Sequence, residues 1–230
     1  MISTVEIVKD LIQNLTFEVK IKAIVDNLNG TYTIETCNSQ YLYPLQDLVI
    51  DGVDYKVLKE GFESNKTVTI QGISIPTVTS FTLPALKFFH GTIIATNNEL
   101  QRVQFAWDKF PMAYLYEQFT DKFNAGVDSI IDRDASIRLF FLLNTDEENW
   151  LTTDHYNYVI NPMRNVLEAF INSLLDSNQI GLLSDFTGIN HAKFGVWTSN
   201  GVDKRLFNDK LSGVELNITL PIKKDYKCKC

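Results

Sequence analysis

The sequence has little of what marks the common classes of enzyme. Its eleven glycines are scattered singly among turns, which excludes a glycine-rich phosphate loop, and neither GxSxG nor HExxH occurs. The three histidines, His90, His155 and His191, lie far apart in sequence. Cysteine is equally sparse: Cys37 stands alone, and Cys228 and Cys230 close the chain two residues apart. Three cysteines make no disulfide framework, and no companion ligands mark a structural zinc site. Long apolar runs are missing too, so no membrane-spanning helix is expected. Glu6, Lys9 and Asp10 interrupt any signal-peptide core. The expectation is a protein kept reduced in a cytoplasm, or in a particle assembled there. Basic charge is in deficit, with 21 Lys and Arg against 28 Asp and Glu and a net charge of -7. Such a surface repels phosphate and disfavours a dedicated nucleic-acid binder. The exception is a basic tail over 223–230, KKDYKCKC.

What is present is ordinary globular material with many rings. Hydrophobic residues make up 45% of the 230, with 15 Phe and nine Tyr, enough for one large domain or two small ones. Residues 2–15 carry an amphipathic helical stripe, and Ser3 with Glu6 forms a capping box. From Phe17 the period changes to two, with Phe17, Val19, Ile21, Ala23 and Val25 sharing one side. Asn27 to Gly30 turns the chain into a second strand. Asp51-Gly52 joins another pair, and Thr67 to Gln71 adds a further strand. Residues 16–83 therefore read as a small all-β barrel or sandwich.

The stretch FTLPALKFFHGT, Phe81 to Thr92, divides this unit from the rest. Pro84 interrupts helix and sheet alike. Phe88 and Phe89 are too apolar for a free linker, and His90 reads as a packing residue beside them. We read Phe88, Phe89 and His90 as a packed seam between two units; the competing reading is a core strand of a single domain. Beyond it, Arg102 to Trp107 and Ala113 to Glu117 are strand candidates, and SIRLFFLL, Ser136 to Leu143, is the strongest buried-strand signal. Residues 154–176 read as a helix that Pro162 kinks or splits, and strands close the chain at 190–198 and 213–220. The fold class expected is α+β, an antiparallel sheet with two helices on one face. The first helix and 84–222 make up that domain, with the β unit of 16–83 inserted between them.

Candidate chemistry is thin. Asp128, Asp132 and Asp134 follow a DxxxDxD spacing that hard cations accept, but without the glycine and glutamate of a calcium loop. The preferred reading is a solvated loop, or ion pairs across a subunit contact involving Asp132, Arg133, Asp134 and Arg138. His155 reads as a solvated or capping residue in a first helical turn, and His191 has no evident partner. No catalytic, cofactor or metal site is expected.

Several stretches taken together carry a resemblance: FTLPALKFFHGT followed by NNEL, KFPMAYLYE, DRDASIRLFFL, NWLTTDHYNYVINPMRNVLEAFINSL and SGVELNITLPI. They resemble virion proteins of tailed phages of Bacteroidetes, including neck and tail ring proteins of crAss-like phages. The C-terminal part is similar to tail-terminator or tail-completion proteins. The resemblance implies a structural ring at the head-to-tail junction or a short tail. It implies a cyclic homo-oligomer, six- or twelve-fold, touching neighbouring ring, portal or tail proteins, with DNA passing without specific binding. Two other readings stand beside it: a monomeric carbohydrate- or peptide-binding module built on the β unit, and a hydrolase with a metal at Asp128, Asp132 and Asp134.

Overall fold

A computed structural model describes residues 3–43, 45–58, 66–124, 130–146, 149–199 and 202–224. The chain opens with helix α1 (Thr4–Gln13), capped as its sequence requires. Ser3 Oγ accepts the Glu6 amide at 3.1 Å, and the Glu6 carboxylate accepts the Ser3 amide at 2.9 Å. Ile7, Val8 and Ile12 bury its inner face.

Six strands follow: β1 (Phe17–Asp26), β2 (Thr31–Thr36), β3 (Asp47–Ile50), β4 (Val53–Val57), β5 (Thr67–Gln71) and β6 (Ser80–Leu83). They form one antiparallel sheet in the order β3-β4-β5-β2-β1-β6, curled until β3 lies beside β6 in a nearly closed barrel. The turns behave as their residues dictate. Asp51 (φ 53°) and Gly52 (φ 75°) are both left-handed, the geometry of a type I′ hairpin turn. One expectation in β1 fails. The strand pairs Ile21 with Thr36 but Ala23 with Glu35, so Lys22 is an extra residue in a bulge. The bulge reverses the alternation: Val19 is buried on the early half and Ala23 and Val25 are exposed on the later one.

The second half contains β7 (Lys87–Gly91), α2 (Ile93–Arg102), α3 (Ala106–Lys109), β8 (Met112–Phe123) and β9 (Ile131–Asn144). Then come α4 (Thr152–His155), a π turn (Tyr156–Ile160), α5 (Asn161–Asp176), β10 (Thr187–Phe194), β11 (Val196–Ser199), β12 (Val202–Arg205) and β13 (Leu211–Lys223). The main sheet has the order β10-β13-β9-β8-β7, while β11 and β12 form a separate hairpin. SIRLFFLL lies in the central strand β9, as its apolar run demands. Gly213 on β13 is required by close approach: a Cβ there would sit 2.0 Å from the Phe141 carbonyl oxygen.

This sheet is not wholly antiparallel, because β7 runs parallel to β8. The chain between them crosses back through α2 and α3, as a parallel pair requires. That crossover also replaces the strand expected over Arg102 to Trp107. Thr92 Oγ1 caps α2 by accepting the Ala95 amide at 3.3 Å. Over 154–176 the helix is continuous but carries a π turn just before Pro162: the Asn161 amide donates to the Tyr156 carbonyl five residues back, and Pro162 itself has no N–H to donate.

Helices α1 and α5 pack together on one face of the sheet, with Phe141 against Phe170 at 5.8 Å. Strand alternation sends Phe140 to the other face, where it meets Tyr114 and Phe194 at 5.7 and 4.8 Å. The barrel interior and this sheet belong to one continuous apolar core, which includes Leu42, Leu86, Phe89 and Phe110. The fold is mixed α+β, with strands predominating.

Candidate functional site

The expected seam residues occupy edge strand β7. Phe89 is buried, Phe88 is partly buried, and His90 is exposed with its ring 6.0 Å from that of Phe88. The loop between β2 and β3 ties the two halves together. Tyr41 Oη donates to the Pro84 carbonyl at 3.0 Å, and Tyr43 Oη accepts the Asn144 amide at 3.1 Å. Tyr43 also stacks on Phe110 at 6.2 Å. Sequence reading missed this loop because its rings follow neither period.

Of the acidic series, Asp128 lies outside the described residues, as do 225–230 of the basic tail. Arg133 differs from expectation: it is 3% exposed and spent within its own chain. Its Nη1 pairs with Asp132 at 2.9 Å, its Nε lies 3.6 Å from Asp121, and Nη2 donates to Thr4 Oγ1 at 3.3 Å. Burial at the α1–sheet junction withdraws it from any surface contact. Asp134 accepts a long bond from Asn124 Nδ2 at 3.5 Å. Among the described residues no three or more His, Cys, Asp or Glu side chains are grouped to hold a metal ion.

Arg138 joins a polar cluster on the sheet face away from α5. Its Nε donates to Glu215 Oε1 at 2.7 Å, and the other carboxylate oxygen takes His191 Nε2 at 2.8 Å. The guanidinium carbon lies 5.4 Å from the Phe140 ring centre and 5.7 Å from that of Tyr116. Burial pushes the Glu215 carboxyl up, but hydrogen bonds from Arg138 and His191 outweigh it and hold it below the ordinary carboxylate value. His191 thus has a partner that its sequence neighbours did not reveal. His155, expected at the surface, is buried: its Nδ1 lies 3.0 Å from Ser212 Oγ and 3.4 Å from Thr145 Oγ1. Both corrections have one cause, since Ser212 and Glu215 lie on β13, 57 and 24 residues further along the chain.

An open cavity lies between the barrel and α5. Its two connected parts, of about 500 and about 420 Å³, share Ser39, Lys66, Asn165 and Glu168. Asn161, Asn165 and Asn172 line its helical wall, and the start of β1 and the loop after β2 form the other. On the helical wall these amides stand beside the charges of Arg164 and Glu168. No candidate on the sequence pointed here, because the groove exists only where the two halves meet.

No protein-family model, curated protein or solved structure matches the chain. No helix among the described residues is long and apolar enough to cross a membrane.

Proposed function

We propose that this protein is a structural subunit of a tailed-phage particle that closes into a ring at the head-to-tail junction or along a short tail. The observation that carries this reading is an apolar tip on the barrel. Leu28 is 90% exposed and Ile73 is 94% exposed. They sit on neighbouring turns tied by the Gly72 amide donating to the Gly30 carbonyl at 3.2 Å. Leu28 also holds a left-handed backbone, φ 62°, at a cost of roughly 1–2 kcal/mol relative to the right-handed basin. Leucine there costs stability and buries nothing in its own chain, so the compensating contact lies on another molecule.

A tip that docks on a different surface of an identical neighbour makes a heterologous contact, and such contacts close into rings when their rotation permits. The net charge of -7 suits a wall past which DNA slides, since phosphate is repelled. The resemblance to neck and tail-terminator proteins supports six- or twelve-fold closure against neighbouring ring, portal or tail proteins. It also supports assembly in the host cytoplasm into the virion, and a tail-terminator-like arrangement of the helix-covered sheet.

The test is native mass spectrometry with negative-stain microscopy of the full chain and of L28S/I73S. The expected result is a cyclic wild-type oligomer and a folded, monomeric double variant. A wild type that stays monomeric at high concentration, or a variant that assembles as well as wild type, overturns the proposal.

A further inference from the structure

We infer that the groove between the barrel and α5 binds an extended polypeptide segment, gripping its main chain through a row of asparagines. Asn161, Asn165, Glu168 and Asn172 follow steps of four, three and four along α5 and so share one helix face. The groove runs along that face, with Ser39 and Lys66 opposite.

Asparagine is a poor choice for an exposed helical position. Its short amide competes for backbone hydrogen bonds, and it ranks well below Ala, Glu or Lys in propensity. The exposed side chains of Asn161, Asn165 and Asn172 make no hydrogen bond to any described residue. Three positions thus give up helix propensity with no hydrogen bond to a described residue in return, the pattern expected where function outweighs folding. The π turn at Tyr156–Ile160 adjoins the same groove, and such turns concentrate at functional sites.

The spacing and the chemistry of the walls select the ligand. A rise of 1.5 Å per residue places Asn161 and Asn165 about 6 Å apart along the helix axis. An extended strand repeats every two residues, about 6.6 Å. Each amide carries a donor and an acceptor and can pair with the N–H and C=O of one peptide residue. Asn161 to Asn172 spans about 16 Å, the length of about five strand residues. Lys66 and Arg164 are offset by Glu168 and Glu18, so the groove favours neither sign of charge. Of its rings, Tyr41 is buried and Phe17 is partly buried edge-on against it, which leaves no open face on which a sugar would stack. This inference is independent of ring assembly.

The test selects random dodecapeptides displayed on yeast against the full chain, then titrates the resynthesised winners by fluorescence anisotropy. N161A/N165A/N172A is expected to weaken binding at least tenfold while its thermal midpoint stays level or rises, because alanine is the better helix former. Asn165→Ala alone is expected to weaken binding about threefold. Methylating alternate backbone nitrogens of a selected peptide is expected to weaken binding as much as the triple substitution, and the oligomeric state of the triple variant is expected to match wild type. The inference is overturned if no peptide is selected, if the triple variant binds equally, or if N-methylation has no effect. It is also overturned if the triple variant melts lower, or if a glycan array gives a signal that this variant loses while peptides give none.

Discussion

The guanidinium of Arg133 donates to Thr4 Oγ1 across 129 residues of sequence, joining the first turn of α1 to the sheet. This buried cation sets where the helix begins against β9, with Asp132 and Asp121 balancing its charge.

Arg133→Met is therefore expected to destabilise the protein by about 2–3 kcal/mol, measured by urea denaturation at neutral pH. The loss falls short of the 3–5 kcal/mol of a fully buried pair. Asp121 and Asp132 keep about a quarter of their side-chain exposure and can turn to water once the cation is gone. A loss below about 0.5 kcal/mol would show that the junction does not depend on this pair.

Glu215 makes stability depend on pH. Its carboxyl is held below its ordinary value in the folded chain, so the unfolded chain takes up a proton first as pH falls. The stabilisation is fully present above the unfolded value, about 4.3, and is lost as pH drops through the lower folded value. Glu215→Gln should cost about 2 kcal/mol at pH 7, typical of a hydrogen bond to a charged group, with the gap to wild type narrowing below pH 4. Parallel stability curves for the two proteins between pH 7 and pH 3 would contradict this assignment.

Phe89 and Phe88 are neighbours with different burial, which makes them a paired test of the junction. Phe89→Ala should cost about 3–5 kcal/mol, the range for a buried phenylalanine. Phe88→Ala, at a partly buried site, should cost less than half as much. Equal losses, read from chemical denaturation midpoints at constant slope, would mean that β7 does not pack as described.

The local elements were legible wherever a single stretch of chain carried the whole signal. Ser3 and Glu6 marked the start of α1, Asp51-Gly52 marked a hairpin, and the run Ser136 to Leu143 marked a fully buried strand. Each of these depends on neighbours within a few residues. The errors came where a distant partner decided the outcome. Lys22 became a bulge because β2 pairs with β1 in two different registers. The parallel edge strand β7 depended on α2, whose inner face of Ile93, Leu100 and the polar Thr96 was too weakly apolar to read as a helix.

The candidate site was less legible than the fold. His155 and His191 looked unpartnered because Ser212 and Glu215 stand 57 and 24 residues further along the chain. Arg133 looked like a surface charge because burial of an arginine depends on what packs above it. By itself the sequence determined the α+β class of the fold, the cap of α1, the Asp51-Gly52 turn and the acidic balance of charge, since these follow from backbone stereochemistry and composition. Only the tertiary structure decided that β3 returns to β6, that both halves share one core, and that the amides of α5 line a groove. Those outcomes depend on side chains from far-apart segments meeting at van der Waals distance, and no local pattern encodes that meeting.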